Sequence, residues 1–169
     1  MEKTALGKTG LQVSRLGAGL AEIGTLDDLS TASRVLNAAL DGGIDFLDTA
    51  ACYGRSEEWI GRSIAHRRHE YVLATKAGHV IDGYEGKEWT ATTILDSIER
   101  SLKRMQTDYL DLVQLHSCSV EVLERGEVIV GTANPAHMKA NIARVEDELP
   151  IPAEVVRELH RRFDQMARR

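Results

Sequence analysis

Apolar and polar positions recur along the chain with two alternating periods, and that alternation predicts its elements. The stretch "TALGKTGLQVSRLG" sets a Gly-Lys-Thr-Gly centre between short apolar flanks, which predicts a small N-terminal β-hairpin. "SRLGAGLAEIG" reads as a short strand over 16–20 running into a glycine-rich loop. From Asp28, a residue suited to capping, Ala32, Val35, Leu36 and Ala39 fall on one face of a helix that Gly42 and Gly43 end. "IDFLDTA" then switches to period two over 44–49. Ile44, Phe46 and Asp48 share one face of that strand, and Asp45, Leu47 and Thr49 the other.

The cycle repeats. Ser56, Glu57 and Glu58 form an N-terminal helix signal, and Trp59, Ile60, Ser63 and Ile64 supply an apolar stripe as far as His66. "EYVLATKAG" predicts a strand, centred on 71–76, that ends on Lys76. Thr90 opens a helix lined by Ile94, Leu95, Ile98, Leu102 and Met105, and "DYLDLVQLHS" a strand over 109–115 that leads to His116. This β-α-β-α-β-α-β order implies a parallel sheet with helices packed on it. Beyond His116 the rhythm changes. "SVEVLERGE" is at most a stub of helix, and "VIVGT" arrives at once as a fifth strand over 128–131. A helix capped by Asn134 follows, with Pro135 in its first turn, and after "ELPIPAE" a final helix carries Val156, Leu159, Phe163 and Met166.

Composition narrows the function classes. The chain has 169 residues, 43% of them hydrophobic, enough for one domain with a real core. A net charge of −5 without a basic stripe argues against nucleic acid as a partner. No apolar run reaches the roughly 20 residues that span a bilayer. The charged N-terminus lacks the apolar core of a secretory signal, and Cys52 and Cys118 form no metal-type pair, so a cytoplasmic location with reduced, buried thiols is expected. His79 and Asp82 lie near one another in sequence, but neither an HxH nor a CxxC spacing is present and no metal site is expected. "HRRHE" reads as a solvated helix end. Trp59 sits on a helical stripe and is assigned to the core, while Trp89, in a polar loop, could either cover a substrate or pack within the loop.

Asp48, Lys76 and His116 each fall at or just past the C-terminal end of a predicted parallel strand, and Tyr53 lies in the loop after the first of them. Active sites of parallel α/β architectures assemble at those ends. Each residue alone has a structural explanation: a strand-end cap, a packed aromatic, a solvated lysine, a core histidine. Together they make chemical sense. A free phenol titrates near pH 10, too high for efficient proton donation at neutrality, and a lysine ammonium nearby favours the phenolate. An aspartate beside that lysine keeps it charged, and a neutral histidine can orient a carbonyl oxygen. The set suits protonation of a carbonyl that is receiving a hydride.

"DTAACYG", "LATKAG" and "DLVQLHS", in that order, resemble the aldo-keto reductases, as do the opening hairpin, "VSRLGAGL" and the late "VIVGTANPAHMKANI". The resemblance implies a (β/α)8 barrel and a catalytic tetrad on Asp48, Tyr53, Lys76 and His116. Tyr53 would be the general acid, Lys76 and Asp48 would tune it, and His116 would orient the substrate. It also implies NADPH or NADH as hydride source and a small carbonyl compound, an aldehyde or ketone, as substrate. Gly19, Leu20, Ala21 and Asp48 would flank the nicotinamide, and Gly131, Thr132, Asn134, His137 and Asn141 would touch the adenosine end. A helix starting near Asn134 suits the latter, because its free N–H groups favour a phosphate. His137 stands where relatives preferring NADP often carry arginine, and Gly131 where a lysine is common, so neither cofactor is singled out.

A complete barrel takes about 250 residues and eight strands, whereas five barrel strands are countable here. The family's segments between its fourth and eighth strands, which supply the groups holding the nicotinamide amide, have no counterpart. The chain is therefore expected to be one truncated TIM-barrel-like domain with a large internal deletion. Residues 1–127 carry the tetrad, and 128–169 carry a cofactor-binding strand and the C-terminal helices. Five strands do not readily close a barrel, so exposed sheet edges predict a homo-oligomer. The competing reading is a non-catalytic remnant that binds cofactor or a partner.

Overall fold

Asp28 begins the first helix as its side chain predicts. Its carboxylate accepts the backbone N–H groups of Ser30 and Thr31 at 3.0 and 2.9 Å, satisfying two of the donors that a helix start leaves free. The computed structural model describes residues 1–81 and 84–118. Strands β1 (Lys3–Ala5) and β2 (Gln12–Ser14) form the expected antiparallel hairpin. The chain then runs through β3 (Ala18–Gly19), α1 (Leu29–Asp41), β4 (Phe46–Asp48), α2 (Ser56–Ile64), β5 (Val72–Ala77), α3 (Ala91–Met105) and β6 (Leu112–Leu115). Strands β3 to β6 make one parallel sheet in sequence order. The expected strand at 128–131 and the helices after it lie outside the described residues.

The sheet register explains why three distant side chains share a face. Asp48 pairs with Ala74, and Lys76 stands two residues beyond Ala74. Lys76 in turn pairs with Gln114, and His116 stands two residues beyond that. Each step to the next strand thus raises the functional residue by two positions, the stagger of tilted strands. An even step preserves parity, so Asp48, Lys76 and His116 all leave the same face of the sheet. The opposite face is covered by helices: Leu47 and Leu73 pack there with Leu36, Leu40, Ile60, Ile64 and Met105. Leu20, Ile23 and Tyr71 complete that core.

Several details depart from the sequence pattern. Strand β3 keeps only two residues of the expected 16–20. In α1 the buried line is Ala32, Leu36 and Leu40, and Val35 is exposed. Ser56 does not cap α2; it is the first helical residue, and its hydroxyl lies 2.8 Å from that of Thr49. Helix α3 buries Ile94, Ser97, Ser101 and Met105, leaving Leu95 exposed. The reason is close helix packing. A Cβ on Gly61 of α2 would collide with the backbone of Arg104 and Met105, so the two helices approach within a distance that favours small side chains.

"HRRHE" is not simply a solvated end. After α2 the chain tightens into a 3-10 turn at Ala65–Glu70, and Arg68 within it is buried. Its guanidinium donates to the carbonyls of Tyr71 and Tyr109, to the Thr107 hydroxyl, and at 2.6 Å to Asp111. Asp111 also accepts the Leu73 N–H at 2.8 Å, so this cation ties the start of β6 to β5. At the same end of the sheet, Asp45 accepts the Ser14 N–H at 2.6 Å and Lys3 at 2.6 Å, which docks the hairpin.

Candidate active site

The loop after β4 is shaped by two glycines. Gly24 lies so close to the Tyr53 carbonyl that any Cβ there would collide with it, and Gly54 adopts φ +52 while its N-terminal neighbour Tyr53 turns toward the sheet. The Arg55 N–H donates to the Gly24 carbonyl at 3.0 Å, closing the contact. Below the loop, Glu57 is 1% exposed in the first turn of α2 and accepts the Thr75 hydroxyl of β5 at 2.8 Å. Arg104 of α3 reaches the same carboxylate at 3.5 Å and the Ala51 carbonyl at 3.3 Å. Tyr53 is therefore positioned by backbone packing and by a buried polar link among α2, α3 and β5.

The four predicted residues come together. Lys76 Nζ donates to Asp48 Oδ2 at 2.6 Å and to the Thr49 carbonyl at 2.9 Å. The same ammonium lies over the Tyr53 ring, 4.9 Å from its centre. The rings of Tyr53 and His116 meet edge to face at 5.8 Å. The His116 backbone continues the sheet, donating to the Ala77 carbonyl at 2.9 Å. Burial pushes the His116 imidazole below its ordinary value, with the positive potential of His79 and Lys76 acting the same way and Asp48 opposing. A neutral ring at physiological pH follows, with one nitrogen a donor and the other an acceptor.

Sequence reasoning missed part of the site. His79 packs edge-on against His116 at 4.9 Å, and its Nδ1 pairs with Glu88 at 2.7 Å. Trp89 both packs in its loop and walls the site: its indole N–H donates to the His116 carbonyl at 3.1 Å, and its ring sits 5.3 Å from His79. The local signal was Gly78, whose φ of +114 lets the chain turn beneath the indole where a side chain would clash. The thiols are not the expected buried pair. Cys52 is exposed and Cys118 half-buried, and Cys52 Sγ lies 3.3 Å from His116 Nδ1.

Of the expected nicotinamide neighbours, Leu20 turns its side chain into the core and donates its N–H to the Asp48 carbonyl at 2.9 Å. Gly19 and Ala21 are exposed beside it, and no heavy atom stands within 4 Å of where a Gly19 Cβ would be. The end of β3 next to Asp48 thus offers open backbone. Gly131, Thr132, Asn134, His137 and Asn141 lie outside the described residues. Among the described residues no helix is long and apolar enough to cross a membrane.

Comparison with known proteins accords with this geometry. The model of the aldo/keto reductase family matches residues 15–123. An uncharacterized oxidoreductase of Bacillus subtilis, YqkF, is 42% identical over 126 residues, covering 72% of this chain and 40% of its own length. The aldo-keto reductase YhdN of the same organism is 39% identical over 127 residues, covering 69% of this chain and 38% of its own. Among solved structures, the holo form of an aldo-keto reductase from Bacillus halodurans superimposes with a TM-score of 0.64 at 37% identity, over 72% of this chain and 42% of that one. The chain spans about 40% of the length of these curated relatives.

Proposed function

The chain belongs to the aldo/keto reductase family, and we propose that it reduces an aldehyde or ketone to an alcohol with a nicotinamide cofactor, Tyr53 giving the proton. The observation that carries this reading is the junction of a carboxylate, an ammonium, a phenol and a neutral imidazole at the C-terminal end of one parallel sheet. Gly19 and Asp48 would border the nicotinamide of NADPH or NADH, which supplies the hydride when bound. The residues of this chain do the rest. His116 and Tyr53 hold the carbonyl oxygen between them, and the phenol donates its proton as negative charge develops there. Lys76, held by Asp48 at 2.6 Å, stabilises the phenolate left behind. Trp89 and His79 pack against His116 and hold it in place.

A second reading is favoured by the length of the match. Segments that complete the barrel in the relatives extend beyond what this chain aligns with, so a protein that holds cofactor without turnover remains its alternative. One experiment separates them. Purified chain is titrated with NADPH and with NADH by fluorescence, and loss of reduced-cofactor absorbance is then followed with a reactive aldehyde. Binding with aldehyde-dependent oxidation supports the reductase. Binding alone supports the second reading, and failure to bind either cofactor rejects both.

A further inference from the structure

We propose that Cys52 is a positioning residue for His116: its S–H donates to Nδ1 and holds the ring as the Nε2–H tautomer, so that Nε2 faces the substrate oxygen as a donor. The inference rests on the carbonyl-reducing reading above and goes beyond it by assigning what sets the histidine's proton.

The two residues are 64 positions apart in sequence, and their side-chain atoms meet at 3.3 Å, within the reach of a hydrogen bond to sulfur. Among the described residues, the other contacts of His116 fix its place without choosing its tautomer. The backbone N–H is held by Ala77 and the backbone carbonyl by Trp89, and the ring faces rest against Tyr53 and His79. His79 does not offer its own Nδ1 to the pair, because Glu88 occupies it. Among the described residues the thiol is the polar side-chain group at His116 Nδ1. A neutral imidazole carries one proton, and the hydrogen bond made by one nitrogen decides the state of the other. Although the residue is exposed as a whole, loss of water around its sulfur raises the Cys52 thiol above its ordinary value, which keeps the S–H available as a donor. Even a weak donor suffices, because it only has to choose between two neutral forms. The placement is also economical: one loop carries the proton donor, Tyr53, and the adjacent residue that orients its partner.

The test reads the tautomer directly and needs no turnover. In protein carrying nitrogen-15 histidine, long-range proton–nitrogen spectra at neutral pH should show His116 with an unprotonated Nδ1 and a protonated Nε2. Cys52→Ala should move both nitrogens toward intermediate shifts, and Cys52→Ser, whose hydroxyl can donate in the same place, should restore the single tautomer. A protonated Nδ1 in the unaltered protein, or an unchanged spectrum in a folded Cys52→Ala variant, overturns the proposal. Where aldehyde reduction is measurable, Cys52→Ala should lower kcat on the order of tenfold without changing cofactor affinity, below the roughly hundredfold expected of a direct proton-transfer group. Cys52→Ser should recover most of it. Absence of turnover in the unaltered chain would count against the reductase reading alone, since the spectra still decide the tautomer.

Discussion

The ammonium of Lys76 stands 2.6 Å from a carboxylate oxygen of Asp48 and 4.9 Å from the centre of the Tyr53 ring. Its side chain is largely shielded from water, at 15% exposure, so the charge is weakly screened where it faces the phenol. Lys76 lies against the ring, and its own hydrogen bonds run to Asp48 and Thr49. That is a common arrangement before a substrate draws the catalytic hydrogen bonds tight. The register of β4, β5 and β6 makes the relationship possible, and the loop packing around Gly24 completes it.

Gly24→Ala should disturb this geometry more than its size suggests, because the new methyl meets the Tyr53 carbonyl. A stability loss of roughly 1–3 kcal/mol is expected from overpacking, with displaced His116 ring resonances as the Tyr53 edge moves away. Gly19→Ala is the control for folding, since its methyl enters open space. Equal denaturation midpoints for the two variants would contradict the packing argument.

Glu57→Ala should be among the costly single changes in the described residues. It leaves the buried Thr75 hydroxyl without its acceptor and Arg104 without its carboxylate. Arg104 is one-third exposed and recovers some solvation, so roughly 2–3 kcal/mol is expected. Urea denaturation measures it, and a loss within about 0.5 kcal/mol, typical of surface changes, would contradict the assignment.

The placement of Asp48, Lys76 and His116 at strand ends was legible in the chain because each closes a strand-like run, whereas their shared face depends on the register between strands, which one strand's pattern does not contain. The division of β4 into two faces was legible from its period of two. What failed were inferences that depend on a partner element. Val35 satisfies a helical stripe yet is exposed on α1, and Leu95 does so on α3, where close packing at Gly61 lets serines take the buried line instead. Arg68 looked solvated because its acceptor, Asp111, lies 43 residues away. The contact of Cys52 with His116 has no local signature at all.

The depressed affinity of His116 for protons has a defined sign. The unfolded histidine takes a proton near 6.5, whereas the folded one resists it. The stability associated with its neutral form is therefore full above that pH and declines as pH falls below it. An NMR titration should give His116 a midpoint below 6.5, and His116→Gln should lose less stability than the unaltered protein between neutral and mildly acidic pH. A midpoint at or above 6.5 would contradict the burial argument.

Among the described residues strands β3 and β6 are the outer strands of the sheet, and an edge left open there would favour association of two copies. Gel filtration with light scattering over a concentration series should show a dimer or larger species. A monomer mass that does not change with concentration would contradict this.

In the proposed reaction the Tyr53 phenol surrenders a proton to a carbonyl beside the cation of Lys76. This transfer is tested most directly by the rate of aldehyde-dependent oxidation of reduced cofactor in Tyr53→Phe against the unaltered chain, with cofactor binding measured in both. The expected result is a loss of roughly 10²–10⁴-fold in rate with binding retained. Turnover by the unaltered chain that survives undiminished in Tyr53→Phe would contradict it.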